Sequence, residues 1–237
     1  MTPSVPTTNE RGKMIQIYIG DDSRMPVLSS VLAHSINARA SESVSISLVS
    51  LGQVKKIFNR ERNPLQSTEF SFSRFLTPFL SGYEGFSIFM DNDMIVLDDI
   101  AKLWALRDER FAVQCVKHDH KPKEGTKFLG EPQTAYGKKN WSSVMIFNNA
   151  KCRALTPEYV NIASGLELHQ FKWLANDDLI GALPHRWNHL VDYDAPNPDV
   201  SLVHYTLGGP FYTATRDCEY AAEWLHERED MLRCVQD

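Results

Sequence analysis

The side chains best placed to do chemistry sit at the end of a short apolar run, Phe86-Ser87-Ile88-Phe89-Met90, which passes directly into Asp91-Asn92-Asp93. Five apolar or small residues of this kind read as a buried strand. A strand ending in Asp-x-Asp carries two oxygen donors of like side-chain direction to the edge of a sheet. Asp91 and Asp93 repel one another unless a cation or strong donors lie between them. A hard divalent ion such as Mg²⁺ or Mn²⁺ bridging a diphosphate is the natural completion. Asp-Asn-Asp is also good turn chemistry, and on these residues alone both readings stand.

Other candidate groups are spread along the chain. Arg74 lies in Phe70-Ser71-Phe72-Ser73-Arg74-Phe75-Leu76-Thr77-Pro78-Phe79-Leu80, an aromatic stretch in which a guanidinium must find an anionic or carbonyl partner. That partner is either a core carboxylate or a ligand. The segment from Lys117 to Lys139 is rich in Lys, His, Gly and Pro, with His118, His120, Lys121, Lys123, Lys127, Lys138 and Lys139, and reads as a basic active-site flap. Zinc held by His118, Asp119 and His120 is the weaker reading, because no second cluster follows at ligand spacing. Asp177 and Asp178 read as the start of a helix, where acids are also ordinary caps. His204 ends the apolar strand Ser201-Leu202-Val203-His204, where an isolated histidine is more often a hydrogen-bonded core residue than a ligand.

These groups need a scaffold, and the pattern supplies one. Met14 to Ile19 reads as a strand breaking at Gly20-Asp21-Asp22-Ser23-Arg24; Val27, Leu28, Val31, Leu32 and Ile36 predict a helix over 25–38; Val44 to Val49 alternates as a second strand. Strand, helix, strand opens a parallel doubly wound sheet, whose ligands bind at the carboxyl ends of the strands. Residues 59–66 are a loop. Asn140 to Asn148 is a further strand whose small residues Ser142 and Ser143 either let a ligand approach the backbone or belong to a plain buried strand. Residues 219–235 form an amphipathic helix with Ala222, Leu225, Met231 and Leu232 near helical spacing, which packs on the core or meets a partner or membrane surface.

Composition narrows the classes. The chain has 237 residues, 43% hydrophobic and 23% charged, as expected for one globular domain, with residues 1–12 flexible. A formal net charge of -5 argues against binding nucleic acid by bulk electrostatics. The expectation is a cytoplasmic protein, with peripheral membrane association left open, since no run approaches the ~20 apolar residues of a membrane span. Cys115, Cys152, Cys218 and Cys234 are widely spaced and read as reduced, buried thiols.

The stretch from Ile88 to Trp104 resembles the metal-binding segment of GT-A fold nucleotide-sugar glycosyltransferases, in particular family eight, the group of the glycogenin-like and bacterial lipooligosaccharide galactosyltransferases. The resemblance runs from about Ile15 to Tyr212. Trp173 to Pro184 with His185-Arg186-Trp187-Asn188 is similar to that family's Asp-Gln-Asp segment followed by Leu-Pro-x-x-Trp-Asn; His204-Tyr205-Thr206-Leu207-Gly208 is similar to its His-Tyr-x-Gly segment. The resemblance implies an α/β, single GT-A domain with a mixed, mainly parallel sheet and a C-terminal helix. It implies Mn²⁺ or Mg²⁺ held by Asp91, Asp93 and His204, with Ile19, Asp21, Arg74, Asn92, Ser142 and Gly208 on the nucleotide sugar. Asp178, with Asp177 at the family's glutamine position, falls beside the reacting sugar carbon. Two departures stand out: Trp141 and Ser143 replace the family's amide residue and glycine, and Gly209-Pro210-Phe211-Tyr212 replaces Lys-Pro-Trp. The diphosphate clamp then falls to Arg216, a flap lysine or the amides of the glycine turn.

The implied activity is hexose transfer from a nucleoside diphosphate sugar, UDP-linked by resemblance, to a hydroxyl of a glycan, lipid or other acceptor, with retention. A sugar-phosphate nucleotidyltransferase is the first rival. It favours a Gly-rich loop after the first strand, where Gly20 to Arg24 has one glycine. The second rival is a noncatalytic sugar-nucleotide or glycan-binding module.

Overall fold

The computed structural model describes residues 14–62, 66–119, 125–126, 132–133 and 137–233. Strands β1 (Ile15–Gly20), β2 (Val44–Val49), β3 (Phe86–Met90), β4 (Met94–Val96), β5 (Val113–Cys115), β6 (Gly125–Thr126), β7 (Pro132–Gln133), β8 (Val144–Asn148), β9 (Ile180–Ala182), β10 (His189–Leu190) and β11 (Leu202–His204) are joined by helices and 3₁₀ turns. The α-helices are α1 (Pro26–Arg39), α2 (Leu51–Val54), α3 (Thr77–Leu80), α4 (Ile100–Trp104), α5 (Pro157–Ile162), α6 (Gly165–His169) and α7 (Ala221–Met231).

The larger sheet has the order β2-β1-β3-β8-β5-β9. Only β8 runs against its neighbours β3 and β5, so the carboxyl ends of the other five strands point to one edge. Both faces are covered. Period-two alternation sends Tyr18 and Phe89 into one apolar cluster, and Ile17, Ile19, Ile88 and Met90 into another. That alternation also settles where the motif points. Asp91, two residues beyond Phe89, falls on the aromatic face where Phe70 and Arg74 lie.

A smaller sheet, β10-β11-β4, sits beyond the motif. β11 pairs antiparallel with β4, setting His204 opposite Met94, and the Tyr205 amide donates to the Asp93 carbonyl at 2.9 Å. Asp93 and His204, 111 positions apart in the chain, are thereby neighbours. Helix α1 packs on β4 and on α7, around Leu28, Val31, Ile95, Val203, Tyr205 and Trp224. The first strands and α1 lie within a residue of their sequence expectation. Helix α4 is capped by Asp99, whose carboxylate accepts from the Ala101 amide at 2.9 Å.

Several sequence expectations are corrected. The strand expected over 140–148 is confined to 144–148. Residues 137–142 instead form a turn with Lys138 and Asn140 at positive φ, a backbone that no strand accommodates. The helix expected at Asp177 is a single 3₁₀ turn, Asp177–Leu179, that runs straight into β9. Helix α7 turns Trp224 and Glu227 inward, whereas Ala222 is exposed and Leu232 lies outside the helix at 65% exposure. Cys115 and Cys152 are buried free thiols, their pKa pushed up to about 12 by burial, and Cys218 is half-buried. Residues 1–12, Cys234 and the flap residues His120, Lys121, Lys123 and Lys127 lie outside the described residues. No helix among the described residues is long and apolar enough to cross a membrane.

Candidate metal and donor site

Asp91, Asp93 and His204 each offer one ligand atom, and these atoms lie within 4.8 Å of one another. Both carboxylates are 9% exposed and His204 is 2% exposed. Asp91 takes its place because its amide continues the β3–β8 ladder to the Ser143 carbonyl at 2.9 Å. Its Oδ1 accepts from Arg74 Nη1 at 2.6 Å. Asp93 faces His204, with Oδ1 3.3 Å from Nε2.

The orientation of His204 follows from a chain of hydrogen bonds. Ser143 Oγ donates to the Asn140 carbonyl at 2.6 Å and so is left to accept from Asn188 Nδ2 at 2.9 Å. The Asn188 amide oxygen therefore faces His204 Nδ1, at 3.0 Å, and Nδ1 must carry the proton. Nε2 is thereby turned toward Asp93 Oδ1, 3.3 Å away, so that a cation between them would be met by both atoms. Two carboxylates and one imidazole, oriented through a buried amide, fit Mn²⁺ or Mg²⁺ by donor type and by support from the surrounding residues. Ser143, where the family pattern has glycine, is the base of this chain. Asn188 was legible in the sequence only as part of Leu-Pro-x-x-Trp-Asn, and its link to His204 emerges from the fold.

The predicted donor-site residues divide into those that line the motif and those drawn into the core. Arg74 packs between Phe70 and Phe89, its guanidinium 5.2 and 5.3 Å from the ring centroids, and also donates to the Ser142 carbonyl at 2.8 Å. It is thus bound to the motif carboxylate itself. Ser142 is 4% exposed and pairs through Oγ with His169 Nδ1 at 2.7 Å. His169 lies against Phe75; desolvation, reinforced by the positive charge of Arg74, holds its pKa well below the ordinary imidazole value. Asn92 and Asp21 meet through Ser29, whose hydroxyl donates to Asp21 at 2.7 Å and accepts from Asn92 at 3.4 Å. The β1 exit loop is so tied to the Asp91-Asn92-Asp93 segment.

Two of the residues expected on the nucleotide sugar are engaged within the fold. The Ile19 side chain is fully buried in the core, leaving none of its surface for a nucleotide. The Gly208 amide donates to the Tyr205 carbonyl at 2.8 Å with Gly208 at φ 117°, so the turn consumes the donor expected for phosphate. Nearby, Arg216 lines a pocket of about 210 Å³ with Phe211, Tyr212 and Arg228. Tyr212 is a neighbour of the motif: burial, with the charge of Asp93, pushes its phenol up to about 12. In the β1 loop, Asp22 rather than Asp21 is the buried acid. Burial opposes its charge, but Arg24 at 2.7 Å and the Glu69 and Arg24 amides outweigh that and lower its pKa.

Asp177 and Asp178 are both exposed. Lys138 Nζ reaches Asp177 at 2.6 Å and the Gln170 carbonyl at 3.0 Å, and the hydrogen bond from Lys138 lowers the Asp177 pKa. The Asp178 amide is capped by Asn176 Oδ1 at 3.0 Å. Trp141 donates from its indole to the His118 carbonyl at 2.9 Å, with the ammonium groups of Lys117 and Lys138 5.6 and 5.8 Å from its ring.

The parallel sheet with one reversed strand, the Asp-x-Asp exit of its central strand and the second small sheet carrying the histidine define the GT-A glycosyltransferase fold. Solved structures agree: the galactosyltransferase LgtC in complex with donor and acceptor sugar analogs matches 94% of this chain and 98% of its own at TM-score 0.58 and 13% identity. The WbbM bifunctional glycosyltransferase and GlyE of Streptococcus pneumoniae TIGR4 each match 91% of the chain at TM-score 0.61, with 14% and 15% identity. The chain spans 50% and 60% of those two longer proteins. No family model matches the sequence. Protein CDI of Arabidopsis thaliana is 44% identical over 227 residues, which is 92% of this chain and 87% of that protein, and the chain belongs to the Protein CDI family.

Proposed function

We propose that this protein is a divalent-metal-dependent hexosyltransferase that uses a UDP-sugar and a glycan or lipid hydroxyl, with retention of anomeric configuration. The observation that carries the reading is the buried Asp91, Asp93 and His204 set, with His204 Nε2 turned inward by Asn188, at the carboxyl edge of a GT-A sheet. Mn²⁺ or Mg²⁺ bound there supplies Lewis-acid stabilisation of the departing diphosphate. Asp91 and Asp93 hold their charge in place through the Arg74 guanidinium and the β4–β11 pairing. Arg74, which holds Asp91 at 2.6 Å, would add a positive charge beside the diphosphate and donor sugar. Arg216 is the second phosphate cation, in place of the missing Lys-Pro-Trp lysine. In the reaction the bond from the anomeric carbon to the diphosphate oxygen breaks, its electron pair leaving with UDP. A bond to the acceptor oxygen forms and the acceptor proton is released.

The Lys138 ion pair bears on stereochemistry. A carboxylate paired with an ammonium, with its pKa lowered, is a weaker base, which favours a contact role for Asp177 over general-base catalysis, in keeping with retention. The test is incubation of the full chain with labelled UDP-glucose, UDP-galactose and GDP-mannose, with and without Mn²⁺. Metal-dependent release of nucleoside diphosphate with sugar transfer supports the reading; conversion of the same donors, on addition of pyrophosphate, to nucleoside triphosphate and sugar 1-phosphate indicates a nucleotidyltransferase, and binding without turnover a noncatalytic module.

A further inference from the structure

A second set of metal-type ligands lies outside the triad. His118 follows β5, His185 opens the 3₁₀ turn His185–Trp187 after β9, and Asp194 ends the turn after β10; their ligand atoms all fall within 4.8 Å of one another. We propose that His118, His185 and Asp194 form a second cation site, selective for zinc-class transition metals and open to solvent on one side.

Donor chemistry distinguishes it from the triad. Two imidazoles and one carboxylate are borderline-soft ligands suited to Zn²⁺, whereas two carboxylates and one imidazole favour Mn²⁺ or Mg²⁺. A tetrahedral ion with arms of about 2.0–2.1 Å needs ligand atoms about 3.4 Å apart. His185 Nδ1 and Asp194 Oδ2 already stand at 3.5 Å. The His118 and His185 rings meet edge to face with centroids 4.8 Å apart, so a rotation of the exposed His185 ring completes the set.

Each ligand sits on an anchored piece of backbone. The His118 carbonyl accepts from Trp141, and the His118 side chain is buried. The His185 turn is pinned by Trp187, 2% exposed, and by the Asn188 amide donating to the His185 carbonyl at 3.1 Å. Asp194 Oδ2, the oxygen that faces His185, also accepts from the Leu190 amide at 2.7 Å, which holds the carboxylate in place. His185 has 55% of its side chain exposed and Asp194 19%, so an ion held here keeps its remaining coordination open to solvent. The proposal stands independently of the glycosyltransferase reading.

The experiment titrates chelator-stripped full-length protein carrying Asp91→Asn and Asp93→Asn, which disables the triad, with Co²⁺ and then Zn²⁺. The expected result is one equivalent of Co²⁺ with tetrahedral visible absorption, displaced by Zn²⁺. Adding His185→Ala, at a largely exposed side chain, or Asp194→Asn lowers Zn²⁺ affinity at least tenfold. Zn²⁺ binding that survives both substitutions, or that vanishes in the Asp91→Asn, Asp93→Asn protein while present in the wild type, overturns the site; the latter outcome leaves the triad intact.

Discussion

Replacing Asn188 by alanine tests the logic of the candidate site more sharply than replacing a ligand. Asn188 is fully buried and touches no part of the proposed donor; it holds His204 Nδ1 at 3.0 Å and takes its own orientation from Ser143 at 2.9 Å. Asn188→Ala removes both bonds and frees the His204 ring to rotate or change tautomer. Loss of such supporting residues costs about 10- to 100-fold in metal affinity, or about 1.4–2.7 kcal/mol. The unmatched His204 and Ser143 add about 1–3 kcal/mol of lost stability, which a thermal scan without metal separates from the binding effect. The assay is Mn²⁺ titration at saturating UDP, followed by electron paramagnetic resonance of free Mn²⁺, with Asp91→Asn as the reference for a lost ligand. Asn188→Asp is the companion: an acceptor-only carboxylate keeps a partner for Nδ1–H but not the donation to Ser143, so it should retain more Mn²⁺ affinity than alanine. A folded Asn188→Ala protein that binds Mn²⁺ within twofold of wild type refutes the claim that this amide sets the ligand geometry.

Asp91→Asn, Asp93→Asn and His204→Ala should each weaken Mn²⁺-dependent UDP binding by more than tenfold, about 1.4 kcal/mol, in calorimetry; wild-type affinity in all three would remove the metal site. Arg74→Lys keeps the charge but not the planar fork that spans Asp91 and the Ser142 carbonyl, so the donor KM should rise or kcat fall; wild-type kinetics in a folded protein would make Arg74 purely structural. Because His169 is held neutral in the folded state while the unfolded chain takes up a proton near about pH 6.5, its contribution is complete above that pH and lost as pH falls. The urea-unfolding difference between wild type and His169→Gln should therefore shift by about 1.4 kcal/mol against the wild type between pH 7.5 and about pH 5.5, and a constant difference would contradict the assignment. Trp224→Ala, emptying the contact between α7, α1 and β11, should cost about 3–5 kcal/mol of stability, whereas Leu232→Ala at an exposed site should cost little.

Local pattern determined much of this protein. The apolar run 86–90 and the helical spacing from Leu28 to Ile36 each demand one kind of burial, and the structure gives each the element it calls for, because side-chain period and buried face are coupled within a single element; 44–49 is the expected strand, although Leu48 is exposed and Val49 buried. The carboxylates of Asp91 and Asp93 were legible for the same reason, as donors at a strand exit. Tertiary structure decided what those donors meet. Only the β4–β11 register brings His204 to Asp93, only the reversed strand β8 brings the Ser142 carbonyl to Arg74, and only the turn at 185–188 sets Asn188 behind His204 and His185 beside His118. Apart from Asn188 and His204, 16 positions apart, the partners of these contacts lie well over 50 residues from one another in the chain. The same dependence holds for partners no local pattern foretells: the Gly208 amide is taken up by its own turn, and the Asp177 carboxylate is met by Lys138, 39 residues away. A residue type carries its chemistry with it, but hydrogen-bond partners and burial are properties of the assembled chain.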